Sequence, residues 1–230
     1  MSVGYRYNQL KDDSGQPEVN AGHLQSLAEL FTRHNAQDVF GVHLVHGHFQ
    51  IGQDTIMLGV DLGTDSRGYW TQPTKYADVD RDNVHGHIYV LSSESHFVAY
   101  EYREGPAMDT AKQVHSSFFS QLAQHLVQNE LAGVLGLQIL DRQAACSETM
   151  LEFVLGEQGT AILREQDVNH GGIHRVTGWS LRQNKDGIVS VSGGESHAKT
   201  TRGTHQVFTG GKPLPTVEAV RNFLHEEGII

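Results

Sequence analysis

Apolar positions recur at helical spacing from Ala21 to about residue 35: Leu24, Leu27, Leu30 and Phe31 share one face, and Asn20 precedes them as a side-chain cap. Alternating or continuous apolar runs then predict strands over 39–45, 55–61, 84–91 and 97–102. A long central helix is predicted from Asp109 or Thr110 to about Gly133, with Phe118, Leu122 and Leu126 as its core stripe beside Val114 and Phe119. Strand patterns return over 135–140, 150–155, 160–164, 175–182 and 188–192, and Val207 with Phe208 marks the end of one more. The tetrapeptide Asn184–Gly187 reads as a hairpin turn. A last helix begins after the cap Thr216, carries Val217, Val220 and Leu224 on one face, and closes at Gly228. Helix, strands, long helix, strands, helix is not a βαβ alternation. The order predicts an α+β fold: a largely antiparallel sheet packed with one long central helix and terminal helices.

Residues 1–20 read as a polar lead-in with a turn-rich "DDSGQPE" segment, and 21–230 as a single domain. Helix-plus-strand patterns on each side of residue 133 suggest internal halves, 21–133 and 134–230, although no repeat of fixed period is visible. Between the second and third strands, 62–83 reads as a long loop rich in acids and aromatics (Tyr69, Trp70, Tyr76), of a length that often signals a binding loop.

Composition narrows the function. A hydrophobic content of 38% with 19% charged residues belongs to a folded protein. The formal charge of −10, with scattered basic residues, argues against a nucleic-acid or anionic-membrane partner. One cysteine, Cys146, excludes an intrachain disulfide and a multi-cysteine zinc site, and a reactive thiol there has no adjacent group to lower its pKa. The first residues lack an apolar run of signal-peptide length, and no segment approaches a membrane span, so a cytoplasmic location is the expectation. Fifteen histidines are the outstanding feature. Such a load serves pH response or metal ligation.

Familiar motifs fail one by one. No G-x-G occurs, so no nucleotide cofactor is expected, and H-E-x-x-H is missing. "GWSLR" puts Arg182 where the hydrolase elbow needs glycine. "DVDRDNVHGHIY" opens like a calcium loop at Asp78, Asp80 and Asp82 but has Asn83 at the turn glycine and Tyr89 where the closing glutamate belongs. "NHGGIH" sets His170 and His174 four apart, yet Gly171 and Gly172 make it a loop rather than a helix.

Two H-G-H triplets remain, at His46–His48 and His85–His87. On an extended strand, residues two apart share a face, so each pair can chelate one ion, and Gly47 and Gly86 leave room for close approach. If the strands are neighbours, His46, His48, His85 and His87 converge, or two histidines combine with Asp54 or Glu101 in an Fe(II)-type set. The alternative is that "HG" at 46–47 is a tight turn and these histidines only bond backbone carbonyls.

The first triplet also resembles the cupin pattern, with Gly41, His46, His48 and Gly59 aligned at shortened spacing. Gln53 stands in the place of the acid, and the second cupin motif is missing. A wider stretch, 33–49, resembles the opening of a group of uncharacterised fungal proteins. It shares Asn35–x4–Phe40–Gly41 followed by Leu44, His46, His48 and Phe49. That resemblance implies a fungal intracellular protein and no particular activity.

Three readings follow. One is an enzyme or binding protein for a small organic molecule, its site lined by His46, His48, His85 and His87 around a divalent metal such as Fe or Zn. The same pocket without an ion would use histidine and an acid such as Asp54 or Glu152 as general base. The third is a metal-free protein-interaction or scaffold domain. Any of them is compatible with a homo-oligomer.

Overall fold

The computed structural model describes residues 3–63, 68–93, 96–106, 113–140 and 148–230. Cys146, Asp109 and Thr110 lie outside them. Its helices are α1 (Val3–Tyr7), α2 (Ala21–Arg33), α3 (Ser116–Gln128) and α4 (Val217–Glu226). The strands are β1 (Phe40–Leu44), β2 (Thr55–Asp61), β3 (Gly68–Lys75), β4 (Val84–Leu91) and β5 (Phe97–Glu104). After α3 come β6 (Leu135–Ile139), β7 (Met150–Val154), β8 (Thr160–Arg164), β9 (Gly172–Gln183) and β10 (Val189–Lys199). No helix among the described residues is long and apolar enough to cross a membrane.

The strands form one closed barrel in the order β1-β6-β4-β5-β2-β3-β8-β7-β10-β9, with β9 returning to β1. This overturns the α+β expectation. The sheet has no open face for a central helix to cover, and α3, which starts at Ser116 under a His115 cap, packs outside the wall. The hydrophobic pattern had shown nine of the ten strands. It did not show that they close, because alternation records which face a residue occupies and not which strand lies beside it.

The tenth strand lies inside the stretch read as a loop. β3 pairs with β2 along its whole length, Pro73 opposite Met57, but with β8 only from Gly68 to Thr71. Pro73 therefore sits past the end of the β8 ladder, where its missing N–H breaks no hydrogen bond. The acids and aromatics of 62–83 read as a loop although Gly68–Lys75 is a strand. Val207 and Phe208 belong to no strand, and the chain there makes only an isolated bridge between Gln206 and Val154.

The connections repeat. In 21–104 a helix precedes five strands, with β2 antiparallel to β3, β4 antiparallel to β5, and β5 parallel to β2. In 116–199 the same relations hold for α3 and β6–β10. The halves interlock through β1–β6 and β3–β8, and the first strand of each pairs with the fourth of the other, β1 with β9 and β6 with β4. The topology is thus pseudo-twofold.

Helix packing decides which side of the wall faces in. Leu24, Leu27, Leu30 and Phe31 of α2, capped by Asn20, and Phe118, Leu122 and Leu126 of α3 bury against Phe40, Val42, Leu44, Leu135, Leu137 and Ile139. Each such side chain contributes about 1.5–3 kcal/mol. Across the barrel, Val220, Phe223 and Leu224 of α4 cover Leu151, Phe153, Ala161, Leu163 and Ala198. With alternate residues committed outward, His43, Gln138, Glu152 and His197 face the lumen. A ten-strand barrel is wider than the eight-strand size that side chains just fill, and it leaves room for polar chemistry.

Candidate metal centre

β1 ends at Leu44, and the chain through Val45–Gln50 is neither strand nor hairpin. It is held instead by the amino-terminal segment, which closes this end of the barrel. Gly47 N–H donates to the Lys11 carbonyl (2.9 Å), His48 N–H to the Tyr7 hydroxyl (3.3 Å), and Asn8 exchanges two bonds with the backbone of Ile51. Gly47 is needed for close packing, since a Cβ there would lie 3.3 Å from Leu10 Cβ. Gln16 bonds the carbonyls of Val45 and Gly133, and Arg175 grips the carbonyls of Asp13, Gln16 and Pro17.

Beneath this plug, His46, His48, Glu152 and His197 bring one ligand atom each within 4.8 Å of one another, so the cluster is able to hold a metal ion. His48 Nε2 is 3.0 Å from Glu152 Oε1, and His197 Nε2 is 2.9 Å from Oε2. His46 Nε2 lies 3.2 Å from His197 Nε2 and 3.7 Å from Glu152 Oε2. The His46 ring is inclined by 81° to His48 and 78° to His197, so in-plane lone pairs converge rather than stack. His46 Nδ1–H donates to the Leu44 carbonyl (2.7 Å), which leaves Nε2 as the free lone pair.

Burial first, and then the neighbouring His48 and His197, lower His46 to about 4, with the Glu152 carboxylate opposing them. It is neutral at pH 7. Burial also works against charge on His197, but the Glu152 and Asp13 carboxylates outweigh it and raise His197 to about 10. Burial opposes charge on Glu152 too, yet His48 and His197 hold its carboxyl well below the usual range. An imidazolium proton therefore sits among the converging ligands, where a cation would displace it.

On the cavity side of His46 lies His43, its ring 5.3 Å away and nearly parallel. His43 Nε2–H donates to Glu195 Oε1 (3.2 Å), and the Tyr100 hydroxyl donates to Nδ1 (3.3 Å). Glu195 Oε2 accepts from Gln138 Nε2 (3.0 Å) and from the Tyr69 hydroxyl (3.4 Å). Glu195, Gln138, Tyr69 and His87 then line a cavity of about 450 Å³, with Arg103 over the Tyr69 ring and Trp179 on the wall. Burial, and then Glu152 and Glu195, push Glu101 well above the usual carboxyl range.

The second triplet does not join the first. Gly86 pairs with Tyr102 and Ile88 with Glu101, so His87 is the extra residue of a β-bulge, and Tyr100 is extra on β5 in turn. The bulge breaks alternation. His87 turns into the barrel, its ring 5.8 Å from Tyr69, whereas His85 Nδ1 bonds the Gly105 carbonyl (2.9 Å). Gly86 is required here, because a Cβ would meet the Tyr89 hydroxyl at 2.5 Å. Asp80, in the calcium-like stretch, caps a turn by accepting from Asp82 N–H.

Sequence reasoning nominated His46 and His48, and named Glu152 only as a base. It passed over His197 and Asp13. The available signals were a lone glutamate inside the apolar run "MLEFV" and a histidine two residues from Glu195 on the same strand. The acid missing at Gln53 in the cupin alignment is supplied instead by Glu152, 104 residues from His48. Compared with known family models, curated proteins and solved structures, the chain shows no significant match to any.

Proposed function

We propose that the protein is a metal-dependent enzyme acting on a small organic molecule, with one divalent first-row transition ion held by His46, His48, His197 and Glu152. The observation that carries this reading is the convergence of three imidazole Nε2 atoms and one carboxylate in a buried, sulfur-free set. Such N/O donors suit Fe(II) or Zn(II). Four protein ligands complete a tetrahedral zinc shell and leave it closed, as in a structural site. Around a six-coordinate ion such as Fe(II) the same four leave two positions open, which an enzyme needs. The ion would polarise a substrate oxygen or lower the pKa of bound water. The cavity beside Glu195 supplies a volume of the size small-molecule sites have.

Elemental analysis of protein purified without a histidine tag tests the centre. At least one retained equivalent is expected, with one equivalent fewer in His46→Ala and Glu152→Ala and no loss in His85→Ala. Absence of metal, or metal indifferent to His46 and Glu152, overturns the reading. Adding nitric oxide to the Fe(II)-loaded protein then tests for an open position. An iron–nitrosyl paramagnetic signal supports an enzyme, and its absence makes the site structural.

A further inference from the structure

More ligating side chains gather at this end of the barrel than one ion can use. His197 turns only its Nε2 toward the centre described above. Its other nitrogen, Nδ1, lies 3.2 Å from Asp13 Oδ2 on the opposite side. Both residues are fully buried, Asp13 and His197 each at 0% exposure. Yet neither oxygen of Asp13 nor Nδ1 of His197 has a hydrogen-bond partner, because the ring N–H does not point along the short line between them. Buried polar atoms are almost always satisfied, and unsatisfied atoms on both members of so close a pair need an explanation.

If Asp13 merely oriented His197, one oxygen would take the Nδ1–H and the other would find a second donor. Here both are bare. The turn holding Asp13 is fixed by other groups: Asp12 accepts from Ser14 N–H (3.0 Å), and Arg175 takes the Asp13 carbonyl. The Asp13 side chain is thus held beside His197 by its turn as well as by the ion pair itself.

A third ligand stands beside these two. One ring nitrogen of His205 falls within 4.8 Å of the Asp13 and His197 ligand atoms. His174 follows, with Nε2 3.9 Å from Asp13 Oδ2 and its ring 4.9 Å from that of His205. His174 and His205 also line a pocket of about 600 Å³ that opens to solvent, an entry path for an ion. Carboxylate and imidazole together are again a donor set for a divalent first-row ion.

We propose that a second divalent transition ion binds Asp13, His205 and Nδ1 of His197, with His174 as a further ligand from the pocket side. His197 then bridges two ions through its two ring nitrogens. Binding of the second ion replaces the remaining ring proton of His197, which leaves to solvent, so the bridge is an imidazolate. The second site itself stands apart from the His46 reading, and only the bridge rests on it.

The test is titration of the metal-free full chain, without a histidine tag, with Co(II) and Zn(II), read by calorimetry and elemental analysis. Two equivalents are expected for the unaltered protein. His205→Ala and Asp13→Asn should each bind one, and so should His48→Ala, which spares the second site. Circular dichroism identifies any variant that fails to fold, and half-buried His205 is the safer of the two second-site positions. One equivalent in the unaltered protein, still bound by His205→Ala but lost in His48→Ala, overturns the second site and leaves the first centre standing. Two equivalents unaffected by both His205→Ala and Asp13→Asn also overturn it. One equivalent kept by His48→Ala and lost in His205→Ala removes the first centre and the bridge instead. Filling both sites with Cu(II) reads the bridge directly. Loss of paramagnetic signal at the second equivalent is expected, and an undiminished signal overturns the bridge.

Discussion

His46 Nε2 and His197 Nε2 face each other at 3.2 Å although 151 residues separate them along the chain. One is neutral and the other is protonated, and Glu152 closes the group at 2.9 Å from His197. The metal-free centre is therefore a buried ion pair as well as a ligand set. Removing one partner from such a pair leaves the other charge without compensation.

Glu152→Ala should accordingly destabilise the metal-free protein by about 3 kcal/mol, the lower end for breaking a buried pair. Urea unfolding at pH 7 measures it. A loss below about 1 kcal/mol would mean that the histidines neutralise at little cost and that Glu152 does not anchor the group.

Acid should weaken the fold partly through His87. Burial, followed by the Arg103 guanidinium, holds His87 well below its ordinary 6.5, and its Nε2 has no hydrogen-bond partner. Because the folded value is depressed, the unfolded chain takes up the proton first as pH falls below about 6.5. Stability is then flat above that pH and declines below it, by up to about 1.4 kcal/mol per pH unit for this group. His87→Phe keeps a ring against Tyr69 and removes the titration. Comparing urea midpoints at pH 7.0 and 5.5 should show a smaller acid loss in the variant, and an equal loss excludes His87 as a source.

The bulge depends on Gly86. A Cβ there would lie 2.5 Å from the Tyr89 hydroxyl and 2.8 Å from Ala99 Cβ. Gly86→Ala should cost about 1–3 kcal/mol through overpacking. Adding Tyr89→Phe removes the nearer atom, so the double variant should recover part of that loss. Thermal melts of the single and double variants decide it, and a neutral Gly86→Ala would show that the bulge relaxes freely.

Arg175 ties the plug to β9 through three backbone carbonyls. Arg175→Met should loosen 10–20 while leaving the barrel wall intact. Limited proteolysis should then cut this segment several-fold faster than in the unaltered protein. Unchanged cutting would mean that Gln16 and Asn8 suffice to hold it.

Much of the local structure was legible along the chain. Asn20 and Thr216 cap α2 and α4, each accepting from a first-turn N–H, and Gly187 turns the β9–β10 hairpin at φ 80°. These features depend on neighbours a few residues away, so periodicity and cap chemistry are enough to find them. His46 and His48 stand out for the same reason, two residues apart, although the chain leaves β1 at Leu44 and does not hold them on a strand.

Tertiary structure alone decided the rest. Alternation along β7 marks Glu152 as facing away from Leu151 and Phe153, but only closure of the sheet turns that face into a lumen shared with His46. β6 lies between β1 and β4, so the two triplets are not on neighbouring strands, and the bulge at His87 turns that residue off the face of His85, a change invisible to a pattern of period two. β3 hides inside the 62–83 stretch because its pairing with β2 and β8 joins segments that the chain order alone does not bring together. The sequence by itself determined α2, α4, the core stripe of α3, most strands and the closeness of His46 to His48, since these follow from contacts within a few residues. The barrel, and the meeting of His48 with Glu152 and His197, arise from strand pairings between distant segments that no local pattern encodes.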